Sequence, residues 1–179
     1  KLTDRQLIQS CLQNDRQSQK LLYERYSEQM YAICFRYCRD EYKAREALQN
    51  GFIRVFNNLK SFNTDMSLGA WMRTIMINSS LDELNRNKKT ENIEDNKFIN
   101  QLSEPNLIDE TMTAEEMMSL VNEMPEGYRT VFNMFIIDDL SHLEIGQLLG
   151  IAEATSRSQL SKARNYLKIQ LLHKQKLYL

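Results

Sequence analysis

The sequence has very few of the residues that interrupt regular structure. Its 179 residues include 5 glycines and 2 prolines, about a third of the roughly 12% that average proteins contain. It has 3 valines against 23 leucines, and leucine favours helices whereas β-branched residues favour strands. The composition therefore excludes a loop-rich β protein. It predicts an all-α protein, and the length suits two small helical domains.

Long apolar runs and targeting signals are also missing. No stretch approaches 18 consecutive apolar residues, and the first ten residues, KLTDRQLIQS, lack the basic and then apolar pattern of a signal peptide. We expect a cytoplasmic protein without membrane insertion.

The residues of common active sites are scarce. The chain has 2 histidines, His142 and His173, and no glycine-rich phosphate loop. Its 3 cysteines cannot all pair, and Cys34 and Cys38 lie four residues apart in an apolar helical stretch, which favours buried free thiols over a redox or metal role. We therefore expect no enzyme, no cofactor and no metal site.

The net charge of −1 hides an uneven distribution. Residues 1–88 carry +4, residues 89–127 carry −8 and residues 128–179 carry +3. This pattern indicates two mildly basic modules that can approach a polyanion, separated by an acidic connector. We predict domains at 1–89 and 113–179 with a linker at 90–112, because residues 90–108 contain too few apolar groups to offset the entropy of ordering.

Capping signals and apolar spacing predict the helices. Thr3 with Gln6 and Thr113 with Glu116 form capping boxes, and Ser67 can cap a helix. The predicted helices cover about 3–13, 16–38 and 41–60, a segment after Ser67, a segment after Thr113, and 125–138 with Pro125 in its first turn.

A helix-turn-helix is predicted near the C-terminus. Ser141 and Glu144 form a third capping box, Gly146 suits a close helix crossing, Gly150 suits a turn with positive φ, and Ile151 plugs the core. A plain helical hairpin is the alternative. In the second helix a narrow face predicted to be buried contains Ser156, Leu160, Ala163 and Leu167. The opposite face is rich in hydrogen-bond donors, which suits the major groove of DNA, with a solvated face as the alternative; it contains Arg157, Ser158, Ser161, Arg164, Asn165 and Lys168.

The third helix carries apolar residues on two faces. The inward face contains Ala44, Ala47, Leu48, Gly51, Phe52, Val55 and Leu59. Ile53 and Phe56 lie instead among Glu46, Gln49, Asn57 and Lys60, and apolar groups in such a polar surface indicate a protein contact. Ordinary scattered exposure is the alternative.

Three stretches together resemble a known family. AREALQNGFIRVFNNLKSF is similar to region 2.2, SLGAWMRTIMINSSLDELNR to regions 2.3 and 2.4, and MPEGYRTVFNMFIIDDLSHLEIGQLLGIAEATSRSQLSKAR to region 4 of the extracytoplasmic-function, or group 4, sigma factors of the sigma-70 class. The resemblance covers nearly the whole chain. It implies a transcription initiation factor whose partners are the RNA polymerase core (the β′ clamp and the β flap), promoter DNA and an anti-sigma factor.

The resemblance also implies roles for particular residues. Those expected to bind polymerase are Glu46, Gln49, Asn50, Ile53, Phe56 and Asn57. Those expected at the −10 element are Asn63, Asp65, Ser67, Trp71, Arg73, Asn78, Arg86, Lys88 and Lys89, with the loop 61–67 holding an unpaired base. Those expected at the −35 element are Thr155, Arg157, Ser158, Ser161, Lys162, Arg164 and Lys168.

The sequence departs from the family pattern at several positions. Glu46 and Asn50 alter an Asp-x-x-Gln-Glu motif, Ala152 replaces a capping serine, and Gly146 and Ser156 replace an alanine and an apolar residue. These changes predict weaker polymerase binding and a looser region 4.

A stand-alone helix-turn-helix regulator is the competing hypothesis, with the first module used for dimerisation or sensing. It leaves Trp71, Arg73, Asn78 and the basic end at 86–89 without a role. Those residues resemble a surface that captures single-stranded DNA, although Trp71 alone also fits a core position.

Overall fold

The computed structural model describes residues 2–88 and 113–177, with side chains described to 86 and from 113 to 173. Within these ranges all regular structure is helical. The chain divides into two compact units, Lys1–Lys97 and Phe98–Leu179, and each has its own buried core. The all-α prediction is confirmed.

The first unit contains four α-helices. They are α1 (Asp4–Leu12), α2 (Arg16–Cys38), α3 (Glu41–Asn58), which continues into the 3₁₀ turn Leu59–Ser61, and α4 (Leu68–Lys88). The core lies where α2, α3 and α4 pack together, and it contains Leu22, Met30, Val55, Met72 and Met76.

Side-chain caps fix where these helices begin. Thr3 and Gln6 form the predicted capping box, and the carboxylates of Asp15 and Asp40 accept backbone hydrogen bonds at the starts of α2 and α3. Arg39 joins α2 to α3 in the left-handed conformation, with φ 55°.

Cys34 and Cys38 are buried free thiols, as predicted, and so is Cys11. Burial raises the pKa of Cys34 to about 12 and that of Cys38 to about 11, outweighing the opposing influence of the nearby Ser80 hydroxyl. Since the thiolate is the reactive form, these groups are chemically inert.

The second unit contains α5 (Ala114–Glu123), α6 (Glu126–Phe132), the π-helical turn Asn133–Ile137, α7 (His142–Leu149) and α8 (Glu153–Leu177). Its core includes Leu120, Val121, Met124, Met134 and Ile145. Where the sequence predicted one helix over 125–138, Pro125 is the N-cap and the α-helix ends at Phe132. It widens there because Asp138 N donates to Asn133 O, five residues back, at 3.0 Å.

The described helices include none that is long and apolar enough to cross a membrane. Across the same residues no group of three or more metal-ligating side chains comes together.

Candidate functional site

The first candidate surface is the outer side of α3. Its inward residues Ala44, Ala47, Leu48, Gly51, Phe52, Val55 and Leu59 are all buried, as the helical spacing predicted. On the other side Gln49 and Asn57 are exposed, Glu46 and Asn50 are half-buried, and Ile53 is 51% exposed. An isoleucine this open on a well-packed helix is a candidate contact residue.

Phe56 differs from its prediction. It is half-buried rather than exposed, because its ring lies against buried Phe52 with centroids 6.2 Å apart. Phe52 also contacts Tyr23 of α2 at 4.6 Å, and Tyr23 is 43% exposed. The "α3 surface", defined here as Tyr23, Glu46, Gln49, Ile53 and Phe56, therefore has an aromatic edge that the sequence did not reveal, since Tyr23 comes from another helix.

The second candidate surface begins in the loop 61–67. Asn63 Oδ1 accepts from Asp65 N at 3.0 Å, and Met66 N donates to Asn63 O at 3.0 Å, which closes a tight turn. Ser67 Oγ accepts from Ala70 N at 3.4 Å at the start of α4. The side chains of Asn63, Asp65 and Ser67 are exposed, so the loop presents polar groups on a defined backbone.

Trp71 lies at the junction of this loop with α4. Its ring packs on buried Phe62 at 5.0 Å while the residue stays half-buried, so it has both a packing role and an open side. Asn78 shares its face of α4 within about 20°, whereas Arg73 points about 160° away. The helix therefore brings Trp71 and Asn78 together and separates Arg73 from them.

The basic end of α4 is only partly described. Arg86 has a side chain that is 65% exposed and pairs with the buried carboxylate of Glu83 at 3.2 Å. The side chain of Lys88, and Lys89 entirely, lie outside the described residues.

The third candidate surface is built on the helix-turn-helix of α7 and α8. Gly150 ends α7 with φ 65° and ψ 33°, the left-handed conformation expected of the turn glycine. Ile151 N donates to Gly146 O at 3.0 Å, and a Cβ built on Gly146 would lie 2.8 Å from Ile151 O. The backbone thus approaches α7 at the one residue without a side chain.

The two faces of α8 follow the helical pattern of the sequence. Ser156, Leu160, Ala163 and Leu167 are buried. Among the expected −35 residues, those exposed are Thr155, Arg157, Ser158, Ser161, Lys162 and Arg164, while Lys168 is half-buried. All seven lie within an arc of about 180°. Ala152 provides no side-chain cap, but Glu153 places a carboxylate in the first turn, where the helix dipole favours it.

A polar contact links the two helices of the motif. His142 Nδ1 lies 2.9 Å from the hydroxyl of Ser156, and its ring stacks on Phe135 at 4.5 Å. Burial, with Arg157 adding to it, lowers the pKa of His142 below its usual value. Ser156 therefore has a polar partner in the core, and a Cβ at Gly146 would crowd Ile151 O.

Glu153 is a charged residue of this surface that the sequence analysis did not single out. Its carboxylate pairs with Arg157 one helical turn away, and both side chains are substantially exposed. The spacing of four residues between Glu153 and Arg157 could have predicted this ion pair from the sequence.

Comparison with known proteins gives matches over both units. The family profile Sigma-70 region 2 matches residues 22–90, and the profile Sigma-70, region 4 matches residues 114–167. The ECF RNA polymerase sigma factor SigW of Bacillus subtilis (strain 168) is 25% identical over 160 residues, covering 82% of this chain and 84% of the relative. The ECF RNA polymerase sigma-E factor of Escherichia coli (strain K12) is 25% identical over 178 residues, covering 91% of each.

Two solved structures share the fold. The sigma factor RpoE in complex with the anti-sigma factor NepR from Bartonella quintana has a TM-score of 0.56 at 19% identity, covering 85% of this chain and 95% of that one. CnrH in complex with the cytosolic domain of CnrY has a TM-score of 0.53 at 17% identity, covering 94% and 96%.

Proposed function

The chain belongs to the extracytoplasmic-function sigma factors of the sigma-70 class, and from this we propose how its three surfaces divide the work of promoter recognition. As a sigma factor it is a transcription initiation factor that directs RNA polymerase to specific promoters, and the polymerase supplies the catalysis. Residues 1–89 would bind the polymerase core and the −10 element, residues 113–179 would read the −35 element, and residues 90–112 would connect them.

The α3 surface is the proposed contact with the β′ clamp of polymerase. It combines the open Ile53 and the Tyr23–Phe52–Phe56 aromatic edge with the polar groups of Glu46 and Gln49, which suits a protein interface with an apolar centre and a polar rim. Asn50 and Asn57 belong to the same rim. This exposed isoleucine beside an aromatic edge is the observation that carries the assignment.

The loop 61–67 and α4 are the proposed site for the melted −10 strand. Asn63, Asp65 and Ser67 offer polar groups to an unpaired base, and the open side of Trp71 offers a stacking surface beside Asn78. Arg86, Lys88 and Lys89 add positive charge for the phosphates. Arg73 faces another side of α4, so we assign it to contacts with the DNA phosphates rather than to the base pocket.

The exposed face of α8 is the proposed reader of the −35 element. Arg157, Ser158 and Ser161 are exposed within this arc and are assigned to base edges, with Thr155 at its border. Lys162, Arg164 and Lys168 are assigned to phosphates. The β flap of polymerase is the further partner proposed for this unit. A stand-alone regulator does not account for the Sigma-70 region 2 match over residues 22–90.

An anti-sigma factor is proposed as the protein that restrains this chain. The sigma factor RpoE, one of the solved structures that share the fold, is bound to the anti-sigma factor NepR. Because RNA polymerase works in the cytoplasm, we propose that compartment as the site of action.

The polymerase assignment is tested with Gln49→Arg combined with Ile53→Asp. Both side chains are exposed, so the double variant should fold, with unchanged helicity and an unchanged melting temperature. It should lose co-purification with core polymerase, because a negative charge replaces the apolar centre and a positive charge is added to the rim.

The matched control also replaces a glutamine by arginine and, four residues later, an aliphatic residue by aspartate, but on another helix. Gln17→Arg with Leu21→Asp alters exposed residues of α2, and Leu21 points about 160° away from Tyr23 on that helix. The control should retain polymerase binding. Equal binding by the α3 variant and its parent would show that the clamp contact lies elsewhere.

A further inference from the structure

The first residue of α8 carries a negative charge at the border of the face proposed to contact DNA. Glu153 opens α8, its side chain is 44% exposed, and its carboxylate pairs with the guanidinium of Arg157. On the helical wheel it lies about 40° from Arg157 and about 20° from Arg164, at the border of the arc proposed to face the −35 element. The helix dipole favours a carboxylate in the first turn, but phosphates repel it, so its place beside a DNA-binding face suggests a role in recognition.

Base edges in the major groove differ in what they offer a carboxylate. Cytosine presents only the N4 amino donor, whereas guanine, adenine and thymine all present at least one acceptor. A carboxylate has acceptors only, so it attracts the cytosine edge and is repelled by the N7 and O6 of guanine and by the O4 of thymine. Adenine is intermediate, because its donor stands beside an acceptor.

We propose that Glu153 is a specificity-determining residue that reads a cytosine of the −35 element, next to the base pair read by Arg157. The proposal rests on the function proposed above for α8. Beyond that function, it states that the exposed carboxylate of Glu153 repels the other bases as well as attracting cytosine.

The spacing of the pair fits two neighbouring positions. Residues four apart on a helix are separated by about 6 Å along the axis, so when α8 lies in the groove their side chains reach adjacent base pairs or pairs one step removed. Arg157 has the bidentate donors that fit guanine O6 and N7, while Glu153 accepts from cytosine N4.

The ion pair in the free protein does not block this use. With side-chain exposures of 63% for Arg157 and 44% for Glu153, the pair is solvated, and such pairs open at little cost. Before DNA arrives, the carboxylate holds the guanidinium at the edge of the exposed face of α8. When DNA arrives, each group exchanges its partner for a base edge.

The test uses holoenzyme made from core RNA polymerase and this protein, and a promoter library with a fixed −10 element and a randomised −35 element. The parent should prefer cytosine at one −35 position. Glu153→Gln should lower that preference by roughly 5- to 100-fold and shift it toward adenine, because a glutamine amide pairs with adenine N6 and N7. Preferences at the remaining positions should stay within about twofold.

Glu115→Gln is the matched control, since Glu115 is also an exposed carboxylate in the first turn of a helix, and it should leave every base preference unchanged. If Glu153 only tethers Arg157, Glu153→Gln would strengthen binding to all sequences alike and steepen the salt dependence, with no change confined to one position. That result overturns the proposal, as does a parent without a cytosine preference.

The same experiment distinguishes a wrong assignment of α8 to the −35 element from a wrong role for Glu153. A parent holoenzyme whose transcription is indifferent to the whole −35 sequence would overturn the assignment of α8, and the Glu153 proposal with it. A parent that depends on the −35 sequence, combined with an unchanged profile for Glu153→Gln, overturns the Glu153 proposal alone.

Discussion

At the scale of single residues, the contact between His142 and Ser156 explains how a polar group occupies the core of the helix-turn-helix. Ser156 is fully buried, and an unpaired hydroxyl there would cost about 1–3 kcal/mol. The imidazole 2.9 Å away satisfies it. The sequence placed Ser156 on the buried face, but its partner lies 14 residues earlier and is reached only through the turn, so local spacing gave no sign of it.

This contact predicts a pH dependence of stability. The pKa of His142 is lowered in the folded protein, first by desolvation and then by Arg157, which outweigh the opposing effect of Glu153. The folded state therefore favours the neutral ring. The neutral ring of His142 therefore contributes fully to stability above its pKa in the unfolded state, about 6.5. This contribution is lost as the pH falls through its lower pKa in the folded state.

His142→Gln removes the titrating ring while keeping a polar side chain. We expect the parent to lose melting temperature relative to this variant as the pH falls below about 6.5. Taking the difference in melting temperature between the two proteins at each pH cancels the effects of the titrating groups that they share. If the melting temperatures of the parent and the variant changed equally with pH, protonation of His142 would not be linked to folding.

At the scale of elements, the turn between α7 and α8 depends on a close backbone approach at Gly146. Alanine there would gain about 1 kcal/mol of helix propensity. Its Cβ would also lie 2.8 Å from Ile151 O, and a backbone atom cannot move as cheaply as a flexible side chain. The steric cost, about 1–3 kcal/mol, should exceed the gain.

We therefore predict that Gly146→Ala destabilises the second unit by up to about 2 kcal/mol net. The measurement is amide hydrogen exchange in α7 and α8, which should speed up. Gly69→Ala is the control, because its Cβ would meet Tyr26 at an ordinary contact distance of 3.5 Å. A Gly146→Ala variant with protection equal to or greater than the parent would disprove the steric argument.

The elements also mark where sequence reasoning succeeds. The capping boxes at Thr3, Thr113 and Ser141 were readable because a cap and its partner lie three residues apart. The π-helical turn after α6 was not, because a shift from i−4 to i−5 hydrogen bonding leaves no pattern in residue type. The same holds for Asp139, which has φ 56° although glycine is the usual residue in that conformation. Phe56 was misplaced for a related reason, since its burial depends on a neighbouring ring.

At the scale of the whole molecule, the proposed promoter contacts belong to two different compact units. The loop 61–67 and Trp71 lie in the first unit, and Arg157 lies in the second. Changes at sites that share no partner usually add in free energy, whereas contacting residues such as Glu153 and Arg157 are expected to couple. The two elements of a promoter should therefore be read separately.

This separation is tested by replacing residues 61–67 with the corresponding loop of a related sigma factor, alone and together with Arg157→Ala. The loop exchange should change −10 base preference and leave −35 preference intact, because only the first unit is altered. Arg157→Ala should cost about 1–3 kcal/mol at one −35 position and leave −10 preference intact, as expected for the loss of one base contact.

In the combined variant the two effects on transcription should add within about 0.5 kcal/mol. Arg164→Ala is the comparison for a phosphate contact: it should weaken all −35 sequences alike and flatten the dependence of binding on log salt by about one. If Arg157→Ala instead lowered transcription equally from every −35 variant, Arg157 would be a phosphate contact. If the loop exchange altered −35 preference, the two readings would be coupled, and the division of promoter recognition between the two units would be wrong.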